Sequence, residues 1–588
     1  MKDYLSIWNF LNKHRKRQSV MVLLLMVIAS ISEVISIGSI LPFLGVITSP
    51  ELVYNHELIR PIVNYFGWAN PNEIILPVTI SFISAILISS FIRLLLIYTV
   101  LRFSYAIGAD LSIDMYRRTL YQSYTVHISR NSSEIINGII NKTALVTGGV
   151  LTPLLYLFSS IIILISVLFT LFFIAPQITL VSIGFFGSLY FLVSIFAKKS
   201  LAVNSKRIAH ESTQIVKSLQ EGLGGIRDVL LDNSQEFYCK LYRKADIPMR
   251  RASASNSFIS IGPRYLMEAI GVSLIAGMAY LMSRDANNIA TIIPVLGVFA
   301  MGAQRLLPVL QQIYASISTL RGTKSSFNDV KKLLEQPLPT NVFQPVFDGL
   351  EFKEKIALNE VCFRYSKDTP WIVNNINLNI IKGDVVGFVG KTGSGKSTVI
   401  DIIMGLLQPF SGKLLVDGVL VSPKNLRNWQ SIIAHVPQSV YLSDASILEN
   451  IAFGISKNNI DMERAIFSAK KAHIFDYIQS LPEKFETLVG EQGVKLSGGQ
   501  KQRIGIARAL YKKSKVIVFD EATSALDDDT ENSVMKAINN LDDDITILMI
   551  AHRISTLRNC NKIFQLGMGN SIKEINYDEL LEQKKEGK

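Results

Sequence analysis

Long apolar runs occupy the first 335 positions, and short β-branched runs broken by Gly and Asp follow them. A membrane-spanning helix needs about 20 mostly apolar residues. We predict that six segments cross a membrane: Val20–Ile47, Ile74–Leu101, Leu151–Ile174, Ile178–Ala197, Phe258–Met282 and Ile289–Leu320. The pattern thus predicts a helical membrane domain over residues 1–335, a linker over 336–350 and a soluble domain over 351–588.

Lys and Arg are distributed unevenly among the predicted loops. Five precede the first span, five lie in 102–150 and eleven in 198–256, whereas 48–73 has one. Because basic loops stay on the cytoplasmic side of a membrane, we predict that both termini and the two long loops are cytoplasmic. Stretches 109–121 and 206–220 have helical spacing and no Pro, so the spans are predicted to continue as helices into the cytosol.

The outer loop after the first span has an amphipathic pattern. Within residues 53–66, one helical face carries apolar side chains: Leu58, Ile62, Tyr65 and Phe66. This pattern predicts a short helix lying in the outer interface of the membrane. An ordinary folded loop with a few apolar contacts explains the same pattern, so both interpretations stay open.

Composition supports a membrane protein. Of the 588 residues, 49% are hydrophobic and 18% are charged, whereas soluble domains have about 25% charged residues. The net charge of +12 belongs to the apolar half, where basic residues flank the spans, so nucleic-acid binding is not favoured. Cys239, Cys362 and Cys560 are widely spaced, which predicts free thiols in a reducing compartment, without a disulfide or a cysteine metal site.

The soluble part contains a phosphate-binding loop. A strand-like run over 384–389 leads into Gly390-Lys391-Thr392-Gly393-Ser394-Gly395-Lys396-Ser397, and an apolar helix starts at Thr398. In this strand–loop–helix context, the pattern G-x-x-x-x-G-K-S turns backbone N–H groups toward phosphates at a helix N-terminus. We predict that Lys396 contacts the β- and γ-phosphates and that Ser397 is a ligand of Mg²⁺.

A second run, Val516-Ile517-Val518-Phe519-Asp520-Glu521, is typical of a buried strand that ends in two carboxylates. Asp520 is predicted to organise Mg²⁺, as in other P-loop nucleotidases. Glu521 follows directly and is predicted to be the general base that polarises the attacking water. A solvated acidic turn would not explain the four apolar residues that precede the pair.

The soluble part resembles the nucleotide-binding domain of ABC transporters. Leu496-Ser497-Gly498-Gly499-Gln500 resembles their signature motif, 20 residues before the acidic strand end. The resemblance implies that these signature residues contact ATP. It also implies roles at five other positions. Tyr365 stacks on adenine, the Q-loop residue Gln438 is catalytic and a ligand of Mg²⁺, and His552 is the catalytic switch histidine. Glu491 lies in the coupling loop, and Ser524–Asp527 form the D-loop.

The resemblance extends over the whole chain, because six spans followed by one nucleotide domain are the layout of an ABC exporter half-transporter. It implies a six-helix α transmembrane exporter domain fused to an α/β P-loop domain that hydrolyses ATP. It also implies that two chains sandwich two ATP molecules, with Lys396 of one chain facing Ser497 and Gly499 of the other. We therefore expect a homodimer, or a heterodimer with a similar half-transporter, whose loop helices near 121–132 and 213–226 transmit closure to the spans.

Three arginines stand in or near apolar runs: Arg93, Arg264 and Arg305. Ionisable residues inside a bilayer point to function, and guanidinium groups bind phosphates through paired hydrogen bonds. Their sequence contexts, the outer amphipathic segment and the run 36–42 resemble the PglK-type flippases of lipid-linked oligosaccharides. This resemblance implies ATP-driven flipping of a polyprenyl-diphosphate-linked oligosaccharide across the inner membrane.

Alternatives stay open for the arginines and for the substrate. The arginines could be solvated or could pair with Glu33 or Glu268, the main acidic residues of the spans. The chain could instead export another lipid, a drug or a peptide, although a drug exporter is expected to have an aromatic cavity with little fixed positive charge. A third class, an ABC module that regulates a channel, would tolerate the loss of Glu521, whereas a pump would not.

Overall fold

The computed structural model describes residues 2–56, 59–174, 176–283, 289–338, 350–520, 544–551, 554–567 and 571–586. The chain divides into two compact units. The first unit comprises Met1–Gln122 and Arg130–Leu338, and the second comprises Ser123–Ser129 and Pro339–Lys588. The short segment Ser123–Ser129 is thus part of the second unit, although the chain enters and leaves it through the first.

Helices form the described part of the chain before residue 339. They are α1 (Lys2–Leu5), α2 (Ile7–Phe10), α3 (Lys13–Gly38), α4 (Ile40–Thr48), α5 (Pro50–Tyr54), α6 (Arg60–Phe66), α7 (Ile75–Leu120), α8 (Tyr124–Ser129), α9 (Ser132–Asn137), α10 (Thr143–Val146), α11 (Thr152–Ile174), α12 (Pro176–Gly224), α13 (Ile226–Leu231), α14 (Gln235–Ile261), α15 (Pro263–Ser283), α16 (Ile289–Gly322) and α17 (Lys324–Leu334). Helix α8 belongs to the second unit and the others to the first. Two π-helical turns, Gly138–Lys142 and Thr147–Leu151, flank α10.

Two of these helices are far longer than a membrane is thick. Helix α7 has 46 residues and α12 has 49, which correspond to about 70 Å each at 1.5 Å per residue. The hydrocarbon core is only about 30 Å thick, so both helices extend well beyond it. The predicted helical extensions over 109–121 and 206–220 lie in these two helices and are confirmed, with α7 ending one residue early at Leu120.

Four stretches of the described chain are long and apolar enough to cross a membrane: Lys13–Thr48, Pro71–Leu120, Ser132–Phe173 and Ile183–Gly224. They overlap the first four predicted spans. The fifth predicted span begins near the end of α14 and continues in α15, and the sixth coincides with α16. Residue 175, between the third and fourth predicted spans, and residues 284–288 lie outside the described residues, so the six-span organisation stays a prediction.

The predicted outer helix over 53–66 is wrong as a single helix. The segment forms the end of α5 and the separate helix α6, because Asn55 caps the first helix and Pro61 restarts the chain in the first turn of the second. Residue Leu58 and the side chain of Ile62 lie outside the described residues. Tyr65 and Phe66 are exposed at the end of α6, as the predicted apolar face requires.

In the described part of the second unit, ten strands form two sheets. These are β1 (Lys355–Phe363), β2 (Val373–Ile381), β3 (Val385–Gly390), β4 (Ser411–Val416), β5 (Val419–Leu420), β6 (Ile433–Val436), β7 (Val516–Asp520), β8 (Thr546–Ile550), β9 (Lys562–Leu566) and β10 (Ile572–Ile575). The smaller sheet is antiparallel in the order β2-β1-β4-β5, and the larger has the order β10-β9-β3-β8-β7-β6. Strands β3, β6, β7, β8 and β9 are parallel, and β10 pairs antiparallel with β9.

Helices complete the α/β unit. They are α18 (Lys396–Ile403), α19 (Leu426–Ser431), α20 (Ile447–Ile451), α21 (Met462–Lys471), α22 (Phe475–Ser480), α23 (Gly498–Tyr511) and the C-terminal helix Tyr577–Glu586. Strands β3, β7 and β8 are apolar and buried along most of their length. Such continuous apolar strands are typical of a parallel sheet that is covered on both faces.

The strand order brings the two predicted phosphate-site elements to one edge of the larger sheet. Strand β8 separates β3 from β7, and across the three strands Phe388 is level with Ile550 and Asp520. The phosphate loop leaves the carboxyl end of β3, and Asp520 ends β7. In open α/β sheets, ligands bind outside the carboxyl ends of the strands.

Candidate nucleotide-binding site

The phosphate loop folds around its own lysine. Lys396 is the first residue of α18 and is buried, and its Nζ donates hydrogen bonds to the carbonyl oxygens of Gly390 (2.9 Å) and Lys391 (3.1 Å). The ammonium group therefore lies inside the loop. The first-turn N–H groups of a helix and its dipole favour an anion at this end, so the loop combines two sources of positive potential.

Two glycines of the loop are required by close backbone contacts as well as by conformation. A Cβ at Gly390 would come within 2.6 Å of the carbonyl oxygen of Leu566, and one at Gly395 within 3.0 Å of that of Ile372. Gly393 has a φ of +84° and open space around it, so only its backbone conformation favours glycine. A larger residue at these positions would distort the cradle.

Four hydroxyl side chains belong to the loop and the start of α18, and two of them are exposed. Thr392 and Ser397 are exposed, and Thr398 is buried at the start of α18. The Ser394 hydroxyl is buried and makes no hydrogen bond within the structure. Because a buried hydroxyl without a partner is unfavourable, Ser394 fits a loop that a phosphate oxygen completes.

Tyr365 lies beside the phosphate loop, where the sequence analysis expected an adenine-stacking residue. Its hydroxyl is 3.5 Å from Thr398 Oγ1, and its ring meets the Phe363 ring edge-on at 5.2 Å between centroids. The side chain is 45% exposed. One ring face is therefore open next to the first turn of α18.

A second carboxylate, which the sequence analysis missed, lies close to Asp520. Asp401 is on α18, and burial raises its pKa to about 6, with the nearby Asp520 charge contributing in the same direction. Two carboxylates at short range cannot both ionise cheaply unless a cation is present. Asp401 follows Ser397 by four residues on the same helix face, and that spacing was the available sequence signal.

Tyr124 brings α8 to the same site. Burial raises the pKa of the Tyr124 phenol, and the Asp401 carboxylate and the Tyr365 phenol add to the shift. The segment around 121–132 was expected to transmit closure of the nucleotide domains, and its central part, Ser123–Ser129, is a component of the second unit. Tyr124 itself carried no sequence signal, because a single tyrosine in a loop is uninformative.

The signature motif starts helix α23. Ser497 is the N-cap: its Oγ accepts a hydrogen bond from the Gln500 backbone N–H (3.3 Å), and the Ser497 N–H donates to Gln500 Oε1 (2.8 Å). Ser497 and Gly498 are exposed, while Gly499 and Gln500 are partly buried. The capping box thus holds an exposed helix N-terminus, which suits contact with an anion presented by another chain.

Arg508 joins the signature helix to the Q-loop region. Its Nε donates to the carbonyl oxygen of Asn450 (2.9 Å) and its Nη1 to that of Tyr441 (3.0 Å), and its guanidinium stacks over Phe453 at 4.6 Å. Gln438 lies three residues before Tyr441 and is exposed. The sequence analysis did not single out Arg508, since arginine in an exposed-looking helix is common.

Several predicted catalytic positions lie outside the described residues: Glu521, the D-loop Ser524–Asp527 and His552. Glu491 is exposed in a 3₁₀ turn, Glu491–Gly493, just before the signature. Within the described part of the chain, no three His, Cys, Asp or Glu side chains form a metal site. Magnesium in nucleotide sites usually has one or two protein ligands and completes its shell with phosphate and water, so Ser397 and Asp520 fit that type of site.

The predicted substrate arginines lie in the first unit. Arg93 is exposed on α7, and no described carboxylate forms an ion pair with it. Arg264 Nε donates to Glu268 Oε1 (2.6 Å) on α15, so the alternative of carboxylate pairing holds for this arginine. Arg305 is on α16, and its side chain lies outside the described residues. The structure therefore does not show the three guanidinium groups together.

The buried carboxylate of the first span, Glu33, contacts helix α7 four residues before Arg93. Glu33 Oε2 accepts a hydrogen bond from Ser89 Oγ (3.1 Å), which joins α3 to α7. Ser89 precedes Arg93 by four residues, one turn along the same helix face.

Comparisons with known proteins match both units. A model of the ABC transporter transmembrane region matches residues 19–301, and a model described as ABC transporter matches residues 373–524. The heterocyst differentiation ATP-binding protein HepA of Nostoc sp. is 28% identical over 586 residues, which cover 97% of this chain and 93% of that protein. The leukotoxin translocation ATP-binding protein LktB of Mannheimia haemolytica is 41% identical over 247 residues, 42% of this chain and 34% of that protein.

A solved structure described as a bacterial Atm1-family ABC exporter with ATP bound has a similar fold. The TM-score is 0.78 at 21% sequence identity, over 97% of this chain and 96% of that chain. This likeness confirms the predicted fold class, a transmembrane exporter domain fused to an α/β nucleotide-binding domain. The chain belongs to the ABC transporters and is an ATP-hydrolysing ABC exporter half-transporter.

Proposed function

We propose that this exporter flips a polyprenyl-diphosphate-linked oligosaccharide across the inner membrane, with both termini cytoplasmic. Two identical chains would form the working unit, because one chain supplies only one phosphate loop and one signature motif. The observation that carries the proposal is the position of Arg93, a charged side chain on an apolar helix.

Arg93 is at a place where a charge needs a polar environment. It stands between Ile92 and Leu94, about 10 Å inside the predicted cytoplasmic end of the second span at 1.5 Å per residue. A charged side chain inside the hydrocarbon is costly and normally faces the bundle interior or a water-filled cavity. Ser89, one turn before Arg93 on α7, is buried against α3, and Arg93 itself is exposed, so its guanidinium is open to a ligand at the margin of this packed face.

Arg264 fits the same proposal despite its ion pair. Its side chain and that of Glu268 are 49% and 45% exposed, so the ion pair does not enclose the guanidinium. The pair uses Nε, and a guanidinium has five N–H donors in total. A diphosphate can therefore bind to the remaining donors or displace Glu268.

The outer segment offers an apolar surface for a lipid. Tyr65 is 85% exposed, and the Phe66 ring stacks on Trp68 at 5.1 Å between centroids. Gly67 ends α6 in a left-handed conformation, which turns the chain between the two stacked rings. Aromatic side chains concentrate at membrane interfaces, and a polyprenyl chain is a ligand of matching chemistry.

The nucleotide site supplies the driving force in this proposal. Tyr365 would stack on adenine, the loop from Gly390 to Thr398 would hold the phosphates, and the partner's signature residues would close the site. Ser397, Asp520 and Gln438 would hold Mg²⁺, which neutralises phosphate charge when it is bound. Glu521 would act as general base and His552 as the switch histidine, so that each composite site hydrolyses one ATP.

The runner-up is export of another lipid, a drug or a peptide. One relative is named for leukotoxin translocation, but the match covers only 34% of that protein, and it gives no argument about the cargo of this chain. Fold likeness does not choose either, because one fold serves many substrates. The fixed positive charge at Arg93 favours an anionic lipid over a neutral drug.

Reconstitution distinguishes the two functions. The purified exporter is incorporated into vesicles with a fluorescent polyprenyl-diphosphate oligosaccharide, and movement between leaflets is measured with and without ATP. A parallel sample contains a hydrophobic dye and no glycolipid. We expect ATP-dependent movement of the glycolipid, whereas movement of the dye alone would establish the runner-up.

A further inference from the structure

The arginine next to Tyr365 lies over two aromatic rings. The Arg364 guanidinium lies 4.5 Å from the Trp371 ring centroid and 4.9 Å from that of Phe410. The two rings meet edge-on at 5.5 Å. Arg364 Nε is buried and has no hydrogen-bond acceptor, and no described carboxylate forms an ion pair with this side chain. The arginine is therefore held by ring faces, as cation–π contacts hold a guanidinium.

Backbone hydrogen bonds fix both rings independently of Arg364. The Ile372 N–H, next to Trp371, donates to the Phe363 carbonyl oxygen (3.0 Å), and the Phe410 N–H donates to that of Cys362 (2.8 Å). The segments that precede β2 and β4 are therefore hydrogen-bonded to the end of β1, and they place the two rings next to Arg364. We call the group Arg364, Trp371 and Phe410 the arginine clamp.

The clamp determines the direction in which the next side chain points. Arg364 and Tyr365 follow Phe363, the last residue of β1, and the Phe363 and Tyr365 rings touch at 5.2 Å, so these two side chains lie on one side of the chain. The Arg364 side chain instead contacts Trp371 and Phe410. Fixing the Arg364 side chain in the clamp therefore keeps Tyr365 on the side of Thr398, 3.5 Å from its hydroxyl.

We propose that Arg364 is a positioning residue for ATP: held over the Trp371 and Phe410 rings, it pre-orients the half-exposed Tyr365 ring for the adenine base. This inference rests on the proposed adenine-stacking role of Tyr365. Arg364 itself touches neither the base nor the phosphates in this arrangement. Its loss weakens the base contact and leaves the phosphate loop intact.

Steady-state ATPase kinetics of the full-length exporter test the clamp. Arg364→Met is expected to raise the KM for ATP by about 3- to 10-fold, part of the effect of losing a base–aromatic stack, with little change in kcat. Arg364→Lys is expected to fall between the parent and Arg364→Met, because an ammonium keeps the charge but loses the planar stack. Inorganic tripolyphosphate, which has no base, should inhibit the parent and Arg364→Met equally.

A double-mutant cycle separates the clamp from the tyrosine. If Arg364 acts through Tyr365, then Arg364→Met adds nothing to the KM of Tyr365→Ala. The matched control is Arg464→Met: Arg464 stacks on Tyr511 at 4.7 Å and also has a buried nitrogen without a partner. Arg464 is on α21, about 100 residues after Tyr365 in the chain. The KM of the Arg464→Met variant for ATP should therefore equal that of the parent.

The outcomes that would overturn the proposal are distinct. If the KM for ATP is unchanged in Arg364→Met but raised in Tyr365→Ala, Arg364 has no positioning role, whereas the adenine-stacking role of Tyr365 is supported. An unchanged KM in Tyr365→Ala removes the adenine-stacking role and the clamp with it. Weaker tripolyphosphate inhibition that matches the rise in KM shows general damage to the phosphate loop and contradicts a positioning role.

Discussion

The two units of this exporter place charged groups by different physical means. In the second unit, a parallel sheet delivers the phosphate loop and Asp520 to one edge, and the loop and the signature each lead into the start of a helix. In the first unit, Arg93 stands inside the 46-residue helix α7, far from either end, and Arg264 stands in the first turn of α15, where it pairs with Glu268. Backbone geometry therefore defines the nucleotide site, whereas the surroundings of the spans define the environment of the arginines.

Burial differs between the units for the same reason. The second unit has two continuous apolar cores, one of which contains the fully buried Trp429 and Phe388. In the first unit, apolar side chains of α7 such as Leu87 and Phe91 remain exposed, as expected of surfaces that lipid or another chain covers. An exposed side chain therefore indicates a contact site in the second unit, whereas in the first unit exposure is also expected of side chains that face lipid.

The largest effect is expected at the general base of the nucleotide site. Glu521→Gln keeps the shape of the side chain but removes its basicity, so ATP hydrolysis should fall by about 10²- to 10⁴-fold while ATP still binds. Lys396→Ala should instead weaken nucleotide binding itself, because it removes the ammonium inside the loop. Hydrolysis at the parental rate by Glu521→Gln would remove Glu521 from this role.

A second prediction concerns sharing of the site between chains. Equal amounts of parent and Ser497→Arg chains that assort freely should have about a quarter of the parental activity if both composite sites of a homodimer are needed, against about a half for independent chains. Ser497→Thr is the control, because it keeps the capping oxygen of α23. Activity proportional to the fraction of parental chains would argue for functional monomers.

Sequence reasoning succeeded where a motif has local context. The phosphate loop lies between a strand and a helix, and the signature begins a capped helix, so both were placed from a few residues. It missed Asp401 and Arg508, whose partners are distant in sequence and are brought near by the sheet and by helix packing.

In the membrane unit, hydropathy located helices but not their breaks or the partners of their charges. The outer segment was predicted as one helix and is two, because capping at Asn55 and the proline at position 61 override its apolar period. The Arg264–Glu268 pair follows from an i, i+4 spacing, yet periodicity alone did not choose between pairing and a cavity.

A third prediction uses the pH dependence of stability. The pKa of Asp401 is raised from 3.8 to about 6 by burial and by Asp520, so the folded state holds its proton over a range in which the unfolded chain has lost it. Stability from this group is present below about pH 4 and is lost as the pH rises to about 6. Asp401→Asn should therefore raise the Tm at pH 7.5 more than at pH 4.5, measured without Mg²⁺.

Asp417 provides a control of opposite sign. Burial alone would raise its pKa, but hydrogen bonds from the backbone N–H groups of Lys355, Lys353 and Glu354 hold the pKa below its usual value. Stability from Asp417 is present at neutral pH and is lost in acid, so Asp417→Asn should lower the Tm more at pH 7.5 than at low pH. The same pH trend for both variants would contradict the assigned shifts.

The most direct test of the central claim is glycolipid flipping by arginine variants in vesicles, measured alongside ATPase activity. Arg93→Ala, Arg264→Ala and Arg305→Ala should each stop ATP-driven movement of a polyprenyl-diphosphate oligosaccharide, while basal ATP hydrolysis continues. Arg93→Lys should recover part of the movement, because lysine keeps the charge without the planar fork. Normal flipping by all three alanine variants would contradict the claim that these arginines bind the diphosphate.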